Sequence, residues 1–345
     1  MMSLKRFRGL IPVVAIAVVA GGGVAVLAGT LAAPHLNDRA PPQACLAVDD
    51  RPQAPGAGMV LIPGGRFRMG SEDYRAEEAP QREVAVDSFW IDSRDVTNAQ
   101  FARFVAETGY VTVSERTPSG ATDAQPPASG RPVNVAGAWV FVQPAEIHDL
   151  EDISQWWKFV PGASWRHPEG PGSDLDGRQN HPVVEVAFED AEAYARWSGR
   201  VLPTEEQWEY AARGGRDGDI DEASAEPDSD AAPKSNHWRG IFPILNFGSK
   251  GYKRTSPVGC FPANGYGLYD IVGNVWQWTR SRWTPDHQSG PASARQASYT
   301  IKGGSFLCAP NFCMRYRPAA RQPGDGTVGA QHIGFRTVLA DPPSQ

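Results

Sequence analysis

Turn formers interrupt this chain throughout its length, and that limits what it can fold into. Its 345 residues include 36 glycines and 30 prolines, and the apolar periodic segments between them are short. Proline fixes φ and removes a donor, while glycine admits left-handed turns, so long helices are not expected. Eleven tryptophans offer large surfaces to bury instead. The expectation is a single α+β domain, rich in loops, with short strands and helices held by aromatic packing. A formal charge of −6 and a pI near 5.7 give no basic face, so a nucleic-acid partner is not expected.

Before that domain, Lys5, Arg6 and Arg8 precede an apolar run from Gly9 to Pro34, with no further charge until Asp38. A positive flank followed by ~20 apolar residues is an export signal or a membrane anchor. The length of the run favours an anchor. Thr30-Leu31-Ala32 offers a small-residue cleavage site, and the glycines at 21–23 weaken a membrane helix, so both readings stay open. Either one puts the body outside the cytoplasm: exported, periplasmic or otherwise extracytoplasmic, anchored or secreted. The segment 1–34 is thus signal or anchor, 35–57 a Pro- and Ala-rich linker, and 58–342 the domain.

Within the body, Met59 to Gly70 reads as two short strands around Pro63-Gly64-Gly65, with further strands at Val84–Val86 and Phe89–Ile91. Thr97 caps a helix that Gly109 ends. Pro126 to Gly130 reads as a surface loop and Ala136–Val142 as a strand. Trp156-Trp157 is too bulky a pair to bury both rings fully, so either one ring lines a cleft or the pair simply packs in an aromatic core. His181–Val186 reads as a strand and Phe188–Gly199 as a helix. Thr204 with Gln207 forms a capping box opening a helix that stops at Gly214. The acidic stretch 216–231 reads as a solvated loop, and His332–Val338 as a closing strand.

Four cysteines are too few for a disulfide scaffold of this size. Two of them, Cys308 and Cys313, stand five residues apart after Gly303-Gly304-Ser305 and before Arg315 and Arg317. In an exported protein such a pair is either a plain bridge or a reactive dithiol. Cys45 and Cys260 either bridge, tying linker to body, or stay free.

Several blocks together resemble the formylglycine-generating enzymes, the sulfatase-modifying family, from about Met59 to Val338. They include Ile62-Pro63-Gly64-Gly65, Trp165-Arg166-His167-Pro168-Glu169-Gly170-Pro171 and Leu202-Pro203-Thr204-Glu205. Asn264-Gly265-Tyr266-Gly267, Gly273-Asn274-Val275-Trp276, Gly303-Gly304-Ser305 and Gly334-Phe335-Arg336 complete the set. The resemblance implies a single C-type-lectin-like domain that oxidises the cysteine of a Cys-x-Pro-x-Arg motif in an unfolded sulfatase polypeptide to formylglycine. It implies Cu(I) on Cys308 and Cys313, dioxygen as oxidant, Ser305 orienting oxygen species and Trp276 beside the metal; Arg315 is expected to be an electrostatic or structural partner of the site. A monomer is expected. Members of the wider superfamily oxidise other substrates, siderophore precursors among them, or catalyse nothing.

The chain departs from the family pattern in places. Phe312 stands where a tyrosine is usual, and Ala309 where animal enzymes carry histidine. The resemblance also implies two calcium sites. At the first, Asn236 and the carbonyls of His237 and Tyr252 match, but Lys250 replaces a carboxylate, so no ion is expected. At the second, Asp270 and the carbonyls of Gly273 and Val275 match while Gln277 replaces a glutamate. There Ca2+ is expected, the alternative being that Asp270 and Gln277 only hydrogen-bond the turn.

Overall fold

A computed structural model describes residue 45 and residues 58–117, 134–216, 234–287 and 298–339. The candidate signal or anchor, the Pro126–Gly130 loop and nearly all of the acidic stretch 216–231 lie outside these residues, as does the linker apart from Cys45. Among the described residues, no helix is long and apolar enough to cross a membrane.

The chain opens with β1 (Met59–Ile62), β2 (Gly65–Met69), β3 (Arg82–Val86) and β4 (Phe89–Asp92). The strands flanking the Pro-Gly-Gly turn do not pair with each other. β1 pairs with β4, and β2 with β3, all antiparallel. Helix α1 (Asn98–Thr108) follows. Its cap Thr97 accepts from Gln100 N, and the Gln100 side chain accepts from Thr97 N, so this end carries a full capping box. β5 (Gly137–Phe141) and β6 (Trp157–Pro161) make an antiparallel pair.

Helices α2 (Phe188–Trp197) and α3 (Glu205–Arg213) come next. Thr204 and Gln207 close the capping box of α3, and Gly214 ends it with φ 65°. A small hairpin, β7 (Gly240–Ile241) with β8 (Leu245–Asn246), projects beyond it in sequence. Finally β9 (Trp276–Arg282), β10 (Ser298–Lys302), β11 (Arg321–Asp325), β12 (Ile333–Gly334) and β13 (Val338–Leu339) complete the fold. One sheet has the order β11-β10-β9-β12, and another β1-β4-β13.

Two expected strands come out differently. His181–Val186 is buried and apolar, which mimics a central strand, but it forms no ladder. Its amides go to separate places, Val183 N to Val96 O and Glu185 N to Ala330 O, and Glu185 takes φ 60°. His332–Val338 splits in two. Its first part pairs parallel with β9 and its last pairs antiparallel with β4, so the segment crosses from one sheet to the other. Arg336, fully buried between them, donates to Asp95, Gln277 and two backbone carbonyls. That crossing ties the sheets together, and a charge this deep is retained because each of its three nitrogens finds an acceptor.

Aromatic packing holds the loops, as the composition implies. Phe101, Phe104, Trp165, Tyr194, Trp276 and Trp278 share one core cluster with Cys308. Trp156, Trp238, Phe242 and Phe306 form another beneath the loop that carries the cysteine pair.

Candidate active site

The segment between the cysteines is a tight hairpin. Ala309 N donates to Phe312 O at 2.8 Å, and Phe312 N returns to Ala309 O at 3.1 Å. Pro310 and Asn311 make the tip, where proline's fixed φ suits a turn. Asn311 exchanges two hydrogen bonds with the backbone of Phe242, donating to its oxygen at 3.0 Å and accepting from its nitrogen at 3.2 Å. Phe312 stacks on the Phe242 ring at 4.2 Å and meets Trp156 edge-on. The departure at position 312 therefore removes a hydroxyl and leaves an aromatic ring seated in aromatic packing.

These contacts hold Cys308 and Cys313 with Cα atoms 5.0 Å apart, joined as a disulfide. Cys308 is buried, whereas Cys313 is half-buried at the cleft. Cys313 and Met314 both adopt left-handed backbone, at φ 73° and 50°. For residues with side chains that conformation costs energy, and it persists only where the surroundings impose it. Upstream, Gly304 also has φ 71°, and a Cβ there would meet the Arg315 carbonyl at 2.8 Å. This explains the second glycine of Gly-Gly-Ser: the approach to the pair leaves room for backbone alone. Ser305 is fully buried. Its Oγ accepts from Leu307 N, and its carbonyl accepts from Cys308 N.

A cleft of about 510 Å³ opens over the pair. Its walls bring together every residue expected at the copper site, namely Cys308, Cys313, Ser305, Trp276 and Arg315. Trp276 is buried, and its backbone N–H donates to His332 O. Arg315 pairs with Glu77 at 2.5 Å. Burial opposes ionisation of Glu77, but the hydrogen bond from Arg315, a backbone bond and the charges of Arg315 and Arg75 together outweigh that and hold the carboxyl below its usual range. Of the two adjacent tryptophans, Trp156 is the buried one and Trp157 lines the cleft.

Sequence reasoning missed Arg75 and His332. Arg75 donates to Cys313 O at 2.9 Å from 238 residues away, and no local pattern signals it. Desolvation, then the neighbouring Arg315, lowers its pKa. His332 lies in the cleft wall against Trp157, with ring centroids 4.6 Å apart and its Nδ1 without a hydrogen-bond partner. The packing around it lowers its pKa to about 3, so it is neutral. The Gly334-Phe335-Arg336 motif two residues on marked the segment without marking this side chain.

The expected calcium ligands fit less well. Gln277 Oε1 already accepts from Trp208 Nε1 at 2.6 Å and from Arg336 Nε at 2.8 Å. An oxygen that takes a guanidinium donor is not a ligand for a dication, so this residue set does not fit calcium. Its Nε2 donates to Asp270 O, the turn-holding role. Asp270 Oδ2 accepts from Gly259 N, and its Oδ1 is left without a partner. At the other site, Lys250 Nζ donates to Cys260 O at 2.8 Å. The His237 and Tyr252 carbonyls accept from Ser249. Cys260 itself is bonded to Cys45.

A disulfide-bearing loop in a tryptophan-walled cleft, on a loop-rich α+β scaffold, defines a class. Residues 46–341 match the sulfatase-modifying factor enzyme 1-like domain, and the chain belongs to that family. A formylglycine-generating enzyme from Mycobacterium tuberculosis is 49% identical over 83% of this chain and 98% of its own length. An inactive Cα-formylglycine-generating enzyme 2 from Mus musculus is 37% identical, covering 81% of this chain and 84% of that protein. Among solved structures, PvdO from Pseudomonas aeruginosa is similar with a TM-score of 0.54 and 25% identity, over 81% of this chain and 93% of that one.

Proposed function

We propose that this chain oxidises the cysteine of a Cys-x-Pro-x-Arg motif in a sulfatase polypeptide to Cα-formylglycine, with dioxygen as oxidant and Cu(I) held by Cys308 and Cys313. The observation that carries this reading is the cysteine pair in the cleft with Trp276 and Ser305 in the same walls. Two sulfurs close enough to bond become, on reduction, two thiolates converging on one point. That is a soft donor set suited to Cu(I), and in this respect the residues fit the ion. When bound, the ion would supply the one-electron chemistry that dioxygen requires.

The remaining work falls to the protein. In net terms the substrate thiol and its Cβ each give up one hydrogen, dioxygen takes these two electrons and two more from a reductant to become water, and water then hydrolyses the thioaldehyde to the aldehyde with release of hydrogen sulfide. Trp276, Trp157 and Leu307 present apolar walls that limit water around the pair. Ser305 Oγ, held by Leu307 N, offers a fixed hydroxyl to oxygen species. Arg75 and Arg315 hold the backbone after Cys313 in place. The substrate enters as an extended, unfolded segment, and the enzyme acts as a monomer in an extracytoplasmic compartment. Two disulfides support that location.

The test is mass spectrometry of a Cys-x-Pro-x-Arg peptide after incubation with protein, Cu(I), oxygen and a reductant. Wild type should yield the aldehyde, while Cys308→Ser and Cys313→Ser should abolish it. Undiminished turnover in both variants would sink the assignment. The oxidised state of the pair and the similarity to an inactive relative favour a second reading, a non-catalytic module of the same fold. Copper titration after mild reduction separates the two, since the module would take up no Cu(I).

A further inference from the structure

We infer that the β7–β8 hairpin extends the cleft as an apolar docking rim, which reads hydrophobic side chains of the substrate polypeptide flanking the target cysteine. This rests on the reading of the cleft as a polypeptide site and names what that site selects.

Eight of the eleven large apolar side chains exposed among the described residues lie on or around one edge of the cleft. Scattered singly, exposed apolar residues need no explanation, but gathered beside a cleft they mark a binding surface. Leu150, Ile153 and Met314 line the cleft itself and remain exposed, Ile153 at 54% and Met314 at 47%. The hairpin adds Ile241 at 61%, Ile244, Leu245 and Phe247 at 68%.

Phe242 joins the two groups. It lines the cleft, stacks on Phe312 beside the cysteine pair, and stands between exposed Ile241 and Ile244 in the chain. Its backbone is bonded to Asn311 in both directions, so the hairpin and the cysteine loop are pinned together. Val142 continues the surface, because the next residue, Gln143, donates to the Ile244 carbonyl. The hairpin does not bury these side chains. Its strands are two residues each, and its support comes from Trp238 and Phe242 on the inward side.

The occupant is fixed by continuity. A chain lying over the cysteine pair in extended form must leave the cleft, and on this side it leaves across apolar side chains. An unfolded segment carries exposed Leu, Val or Ile that a folded partner would have buried. Docking them on a preformed rim removes apolar area from water on both partners, which gives affinity without demanding one sequence.

The test measures binding, so it does not depend on turnover. Fluorescence anisotropy follows labelled peptides in which serine replaces the target cysteine of the Cys-x-Pro-x-Arg core. One peptide has Leu- and Val-rich flanks, and another has Gly and Ser flanks. The protein is used as wild type and as Ile241→Ser with Phe247→Ser, whose unfolding temperature checks the fold. Wild type should prefer the apolar-flanked peptide by about tenfold, the scale of burying one such side chain. The double variant should lose that preference and bind the polar-flanked peptide as wild type does. An equal preference in wild type and variant overturns the inference. So does a wild-type dimer or vesicle association that the variant loses while peptide preference stays unchanged. If the flank preference behaves as stated but no cysteine peptide is converted, the oxidase reading fails and the rim stands.

Discussion

The two disulfides of this protein have the same chemistry and opposite settings. Cys308–Cys313 spans five residues and lies in the cleft, on backbone forced into left-handed geometry. Cys45–Cys260 spans 215 residues and involves no residue of that cleft. Each is braced by a cation on a cysteine carbonyl, Arg75 on Cys313 and Lys250 on Cys260. A bridge that closes a long loop restricts the unfolded chain far more than one that closes a short loop. The short one gains little that way and instead holds two sulfurs together in a cleft. Sequence separation and setting therefore divide stability from chemistry.

The largest expected effect tests that division directly. Removing Cys45–Cys260 with paired serines should cost more unfolding free energy than removing Cys308–Cys313, by about 3 kcal/mol from the loop-length difference. Urea unfolding of the two double variants measures it. Peptide oxidation should show the reverse order, retained in the first variant and lost in the second. Equal stability losses would break the comparison.

The bracing cations give the next, smaller contrast. Arg75→Met removes a charge-assisted bond to Cys313 O, so kcat/KM should fall about tenfold with little change in unfolding temperature. Arg75→Lys should restore part of it, because a cation again reaches the carbonyl. Lys250→Met should cost about 1 kcal/mol of stability and leave kcat/KM unchanged. Loss of turnover in Lys250→Met would mean that the two bridges are coupled.

Much of this arrangement was legible in the sequence, and the exceptions have physical causes. Thr204, Gln207 and Gly214 mark α3 because capping is local chemistry, decided within one turn. Cys308, Cys313, Ser305, Trp276 and Arg315, singled out in the sequence, line one cleft. His181–Val186 misled because burial on all sides gives the same apolar run whether or not a ladder forms. Arg75 and His332 were invisible because their roles exist only across long separations. Gln277 shows the opposite case. Its place in the calcium pattern was readable, but its partners Trp208 and Arg336 were not.

Acid should loosen one bridge before the other, the smallest of these effects. Around Cys313 the bracing depends on carboxylates: Glu77 holds Arg315, Glu78 holds Arg317, and both arginines follow the cysteine in the chain. Glu77 has a folded pKa below its ordinary value of 4.5. Its contribution is therefore complete above the unfolded pKa and is lost as pH falls through the depressed folded value. At the other bridge the bond from Lys250 to Cys260 O involves no carboxylate. Hydrogen exchange, corrected for intrinsic rates, should show residues 313–317 losing protection below about pH 4.5, the ordinary glutamate value, before residues 259–261 do. In Glu77→Gln the neutral amide cannot titrate, so protection at 313–317 should be lower at neutral pH and should change less on acidification. If both segments lost protection together in wild type, the carboxylate bracing would not be what distinguishes the cysteine loop.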